Sequence, residues 1–247
     1  MSGPVPIEAV GTLLGVWAHP DDEAYLMAGL MALARRQGQR VAVITATAGE
    51  QGTDDPQRWP PARLRQRRRR EMAASLRAVG VHEHYWLGYP DGGCADVNEA
   101  QAIAAIGRII GKVRPDTIVT FGPEGMTGHP DHRTVSAWTA AAWAAWAPGA
   151  RLWHATLLPS FYDEWADLNA ATGIFPDGST PPCTPEADAA AIFRFDGPVL
   201  AAKAAALRAH ASQLASLIAF VGESTIDRWW AVEAFAAAAP VLTGDLV

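Results

Sequence analysis

The chain has 247 residues, 49% of them hydrophobic, and a formal net charge of −6. That is enough apolar material for one well-buried domain, and the acidic balance argues against a general nucleic-acid binder. Two cysteines, Cys94 and Cys183, each stand alone in a loop-like stretch, which excludes a disulfide framework and a thiolate zinc site and fits reduced cytoplasmic thiols. The N-terminus shows no charged segment followed by an apolar stretch, so no signal peptide is expected, and Ala137 to Ala147 is too short to span a bilayer, which takes about 20 apolar residues.

The first apolar run, Leu13 to Trp17, reads as a buried strand feeding a helix over Ala24 to Arg35. Between them lies Ala18-His19-Pro20-Asp21-Asp22-Glu23. Acidic residues at a helix start are ordinary capping, but His19 and Asp22, three apart across a tight turn, bring an imidazole and a carboxylate toward one point, with Asp21 beside them. Arg40 to Thr47 is a second strand, ending in the glycine-flanked acidic loop around Glu50. A helix follows over Ala62 to Val79 and carries a run of arginines. Most of these read as a solvated face, but Arg68 falls on the inward stripe of Leu64, Met72, Leu76 and Val79, with Glu71 beside it. An arginine there needs a carboxylate or a ligand, which makes it a candidate at the edge of a site.

His82 to Leu87 is a third strand, whose alternating His82 and His84 are more simply edge-strand residues than metal ligands. Asp91 lies in the loop after it and either faces the cleft or caps a turn. A helix over Val97 to Val113 and a strand over Thr117 to Phe121 lead to Gly128-His129-Pro130-Asp131-His132, and a helix over Thr134 to Ala147 follows. Two His-Pro-Asp tripeptides, each after a predicted parallel strand, suggest a shared site: if the two strands are neighbours where strand order reverses, His19, Asp22 and His132 form a two-histidine, one-carboxylate metal site. Leu152 to Leu158 is a further strand, residues 159–190 read as an irregular substrate-side loop, Ala191 to Phe195 as an edge strand, and Val199 to Phe220 as a helix bearing Lys203, His210 and Gln213. Ten tryptophans are many for this length; stacking on sugars or a contact within a homo-oligomer are alternatives, but at helical spacing core packing is the commoner use. The alternation of strands and helices predicts a single α/β domain, a Rossmann-like, doubly wound, mostly parallel sheet with helices on both faces.

These motifs resemble the PIG-L/LmbE-like de-N-acetylase family, which removes acetyl groups from N-acetylglucosamine-type amines. The resemblance rests on Ala18 to Glu23, Thr45 to Gly52, Arg68 with Glu71, Asp91-Gly92, Gly128 to His132, and the stretch from Lys203 through His210 to Gln213. It implies a catalytic divalent metal on His19, Asp22 and His132, zinc first and Fe²⁺ or another divalent ion as alternatives. It implies Asp21 as the base for water, His129 beside the developing oxyanion with Asp131 orienting it, Glu50, Arg68 and Asp91 at the substrate, and a small amino-sugar-like substrate with no membrane span. One position departs: some members carry a tyrosine two residues before the first histidine of the second motif, where this chain has Thr127. Competing readings are a non-haem Fe(II) enzyme on the same ligands, a non-catalytic metal- or glycan-binding module, and a nucleotide-binding domain, the last disfavoured because no G-x-G-x-x-G follows the first strand.

Overall fold

Four of the apolar runs pair side by side as anticipated in the computed structural model, which describes residues 5–175 and 181–239. Strands β1 (Leu13–Trp17), β2 (Val41–Thr47), β4 (Thr117–Phe121) and β5 (Arg151–Thr156) are parallel and inner, and β3 (Glu83–Tyr89) is a parallel edge strand. The sheet has seven strands in the order β3-β2-β1-β4-β5-β7-β6, with β6 at Ala191–Arg194 and β7 at Val232–Ala237. β1, β2 and β4 are buried at every residue, as strands covered on both faces must be. After β1 the chain runs outward to β2 and β3, then crosses back to β4 on the other flank of β1. The order therefore reverses between β1 and β4, which are direct neighbours with Leu13 opposite Thr117.

Helices α2 (Ala28–Arg36) and α3 (Pro61–Ala78) each pack on α7 (Gly197–Ala209), and α4 (Glu99–Val113) packs on α5 (Pro130–Trp146); right-handed crossovers put the two groups on opposite faces. In α3 the exposed side carries the arginines while Leu64, Arg68, Glu71, Met72, Ser75 and Leu76 are buried. The tryptophans mostly serve the core: Trp17, Trp138, Trp153, Trp229 and Trp230 are buried, whereas Trp146 is 46% exposed.

Several elements differ from expectation. The first helix is two, α1 (Asp22–Leu26) and α2, broken at Met27 with φ −149°. Residues 159–190 are not uniformly irregular, because Pro159–Thr172 forms α6 with a kink at Trp165; Pro at the first helical position starts it, and 176–180 lie outside the described residues. The helix expected over Val199 to Phe220 is α7 and α8 (Ala211–Val221), bent by 115° about His210. α9 (Glu223–Trp229) and β7 were not anticipated at all. No single helix among the described residues is long and apolar enough to cross a membrane.

Candidate active site

The turn after β1 is closed by its own acidic residues. Asp22 Oδ2 accepts the backbone N–H of His19 at 2.8 Å. Asp21 sits at φ 108°, ψ −29°, a left-handed conformation that crowds the β-carbon of any residue but glycine. Neighbours hold it there. Glu23 Oε2 accepts the Asp21 N–H at 2.9 Å, and Arg68 Nη2 donates to Asp21 Oδ2 at 3.0 Å and to the Pro20 carbonyl at 2.5 Å. Arg68 Nη1 donates to the Gly49 carbonyl at 2.8 Å. Gly49 has φ +64°, and a β-carbon there would lie 2.1 Å from Arg68 Nη1, so glycine is what lets the guanidinium approach. Behind this, Glu23 Oε1 accepts from Ser75 Oγ at 2.6 Å and pairs with His210 Nε2 at 2.8 Å, all three groups fully buried. Burial alone would raise the Glu23 carboxyl, but the His210 charge holds it below the usual range, and Glu23 in turn raises His210 against its own burial.

The turn after β4 supplies the second half. His129 caps α5, its Nδ1 accepting the Asp131 N–H at 3.1 Å, with Pro130 at the first helical position. Its exposed ring therefore carries its proton on Nε2 when neutral, and burial of its inner side together with the neighbouring imidazoles lowers its pKa. His132 Nδ1 donates to the Gly125 carbonyl at 3.0 Å and its ring stacks on Phe121 with centroids 4.1 Å apart. Nε2 is left with a free lone pair, and burial first, then His19, lower its pKa to about 4.

These two halves meet. His132 Nε2 lies 3.1 Å from His19 Nδ1 and 3.4 Å from Asp22 Oδ1, and His19 Nδ1 is 3.8 Å from Asp22 Oδ2. The far nitrogen of His19, Nε2, faces Asp91 Oδ1 at 3.0 Å and Asp131 Oδ2 at 3.2 Å. Burial alone would depress His19, but hydrogen bonding to Asp131 and Asp91 raises it to about 10. Those carboxylates are themselves anchored by backbone N–H groups: Asp131 by Gly92 at 2.8 Å and Cys94 at 3.0 Å, Asp91 by Gln51 at 2.7 Å. Against the effect of its burial, Asp131 is held at about 2 by the hydrogen bond with His19 first and by its backbone donors next.

Two donor clusters thus share His19, one with His129 and His132, the other with Asp91 and Asp131. The second is saturated by backbone donors and reads as the outer carboxylate support of a ligating imidazole. In the first, His129 has spent Nδ1 on its own helix. The point where ligand atoms converge is bounded by His19 Nδ1, His132 Nε2 and the Asp22 carboxylate, and once His19 gives up its proton this donor set fits a divalent ion.

Asp131 differs from the expectation that it orients His129: its carboxylate supports His19, and only its backbone N–H touches His129. Arg68 and Glu50 stand behind the cluster, with Glu50 Oε1 taking Arg65 Nη2 at 2.5 Å and the Asp91 N–H at 3.4 Å. His84 donates to or accepts from Thr45 at 2.9 Å, away from the cluster, and His82 is exposed. The Glu23–His210 pair and the support of His19 by Asp91 escaped the sequence reading; the run from Lys203 to Gln213 carried a signal for the first, but none of partner identity. On one side of the cluster a cavity of about 150 Å³ opens, with Asp21, Asp22 and His132 at its end and Tyr25 and Thr127 on its wall.

Comparison with known proteins adds three findings. The family model described as GlcNAc-PI de-N-acetylase (PIG-L) matches residues 14–143, from β1 to α5. The chain is 32% identical to a 1D-myo-inositol 2-acetamido-2-deoxy-alpha-D-glucopyranoside deacetylase of Mycobacterium leprae, over 82% of this chain and 80% of that one. It is 34% identical to the protein of the same name from Salinispora arenicola, over 82% and 76%. In fold it resembles the N,N'-diacetylchitobiose deacetylase of Pyrococcus horikoshii, with a TM-score of 0.64 over 95% of this chain and 86% of that one, at 22% identity.

Proposed function

The chain belongs to the GlcNAc-PI de-N-acetylase (PIG-L) family, and from that premise we propose that it is a metal-dependent hydrolase that removes the acetyl group from an N-acetylglucosamine-type amine, with zinc held by His19, Asp22 and His132. The observation that carries this is the convergence of His19 Nδ1, His132 Nε2 and the Asp22 carboxylate within 3.8 Å, contributed by two turns 113 residues apart. The Mycobacterium leprae and Salinispora arenicola relatives act, by their names, on an acetamido-deoxyglucoside of inositol, which supports an amino-sugar substrate.

A divalent ion at this point supplies Lewis acidity, polarising a carbonyl and lowering the pKa of water to about 7. The chain's own groups do the rest. Asp21 lines the cavity beside Asp22 and His132 and is not engaged with a cluster imidazole; burial raises its pKa, while Arg68 keeps its charged form available and fixes its direction. It takes a proton from the attacking water and returns it to the leaving amine. His129, neutral with its proton on Nε2, donates to the oxygen on which charge develops. Asp131 and Asp91 hold the His19 ring, and the Gly125 carbonyl holds His132, so neither ligand must reorient. Thr127 brings no phenol to the cavity wall; Tyr25 does, and burial followed by Asp21 and Asp22 keeps it protonated.

The test is release of free amine from a panel of N-acetylated amino sugars with the purified protein. Release stopped by chelator and restored by zinc is the expected result. Release that persists after complete metal removal overturns the reading.

A further inference from the structure

The cavity beside the cluster differs in chemistry from the rest of the site. Asp21, Asp22 and His132 stand at its end and Thr127 and Tyr25 bring hydroxyl groups to its wall; the rest is hydrocarbon and aromatic, chiefly Leu26, Phe121, Phe175 and Trp230. Trp230 is fixed there edge-on against Tyr25 with centroids 4.8 Å apart, and Phe121 is pinned between Trp17 and His132. The charged groups Arg65, Glu50 and Asp91 lie elsewhere, around the far nitrogen of His19. An amide bound at the cluster has two halves, an acyl group and an amine-bearing sugar. Sugar hydroxyls placed against Leu26 and Phe175 would lose their water without gaining partners. The acyl group has no such requirement. A methyl, however, fills little of about 150 Å³, a volume that in an apolar cavity takes a molecule the size of benzene.

We infer that the cavity formed by Leu26, Phe121, Phe175 and Trp230 is an acyl pocket, and that the enzyme prefers amino sugars N-acylated by an apolar chain of about six carbons, or a benzoyl group, over N-acetyl substrates. The inference rests on the hydrolase reading above and names the substrate class within it. The reaction is unchanged: water adds its oxygen to the acyl carbon, the C–N bond breaks, the amine leaves with the proton, and the medium-chain carboxylate is released.

The experiment measures kcat/KM of the zinc-loaded protein on glucosamine carrying acetyl, butanoyl or hexanoyl groups, and on the benzyl glycoside of N-acetylglucosamine. Added methylenes in an apolar pocket discriminate by about tenfold or more, so hexanoyl should exceed acetyl at least tenfold. Acetyl turned over as well as hexanoyl, or a gain of that size only with the benzyl glycoside, overturns the acyl pocket and leaves the hydrolase standing. Amine from none of the four overturns both. Ile174→Trp, which places an indole in the cavity from a half-buried position, should cut the hexanoyl-to-acetyl ratio at least fivefold; an unchanged ratio overturns the placement. Metal-free protein gives an independent reading: hexanamide should raise its melting temperature more than acetamide at equal concentration, and equal shifts count against the pocket.

Discussion

At the scale of single residues, the site divides its acidic groups by what each one touches. Asp22 closes its own turn with one oxygen and faces His132 with the other; Asp131 and Asp91 support His19; Asp21 pairs with Arg68 and is the carboxylate proposed above to move a proton. Asp21→Asn keeps the hydrogen bond from Arg68 and removes the base, so kcat should fall by about 10²–10⁴ while bound metal, measured by elemental analysis, stays near that of the parent. Retained turnover, or lost metal, would reassign the residue. The imidazoles give a second prediction, with its sign fixed by their pKa directions. Without metal, His19 is protonated at neutral pH because its pKa is raised to about 10, and His132 is not because its pKa is lowered to about 4. Of the two imidazoles, only His19 must therefore lose a proton to become a ligand, and burial raises the Asp22 carboxyl as well. Titration calorimetry at pH 7 in buffers of different ionisation enthalpy should register proton release on metal binding, and apparent affinity should climb with pH. A binding enthalpy independent of buffer refutes the arrangement. That His19, Asp22 and His132 would meet was legible in the sequence because the spacing that aims each side chain is local to its turn. The sequence did not disclose that Asp131 serves His19, since that contact depends on where one turn falls over the other.

At the scale of elements, the break between α1 and α2 is held by partners from the far end of the chain. Glu233 on β7 accepts the N–H groups of Gly29 at 2.8 Å and Leu30 at 2.9 Å, capping α2 from more than 200 residues away. Lys203 on α7 pairs with Glu233 and donates to the Tyr25 carbonyl at 2.7 Å, both side chains fully buried. A buried pair whose partner is neutralised leaves an uncompensated charge, so Glu233→Gln should cost about 3–5 kcal/mol in chemical denaturation. A loss under about 1 kcal/mol would mean water reaches Lys203. This also accounts for what the sequence did not reveal of the fold. β1 is apolar throughout and β4 mixes apolar residues only with β-branched threonines, so both announce themselves, whereas β7, Val232–Ala237, carries a buried glutamate and several alanines and is strand only because β5 and β6 flank it. The bend at His210 is equally non-local: the ion pair with Glu23, not a helix breaker in sequence, marks where α7 ends.

At the scale of the whole molecule, the site lies where the sheet reverses direction, and this gives metal binding a structural consequence. β1 with α1 and β4 with α5 enter the two flanks of the sheet separately; His19 lies in the turn just before α1, and His132 in the first turn of α5. In the metal-free protein a protonated His19 is buried and its charge is offset by Asp22, Asp91 and Asp131, so the junction is held by these pairs, by hydrogen bonds and by the packing of Phe121 on His132 and Trp17. An ion that both turns grip binds the folded chain and not the dispersed one, and stabilises it by RT ln(1 + [L]/Kd), about 2.7 kcal/mol at a hundredfold excess over Kd. For a chain of this size each kcal/mol moves the melting temperature by about 2–4 °C, so zinc should raise the transition by about 5–10 °C over chelator-treated protein in differential scanning calorimetry. His132→Ala removes one ligand from one flank and should abolish that increment while α5 remains folded, because its cap is His129. A zinc-dependent rise that survives His132→Ala would place the ion elsewhere, within a single turn, and the two flanks would then be joined by the sheet and not by the metal.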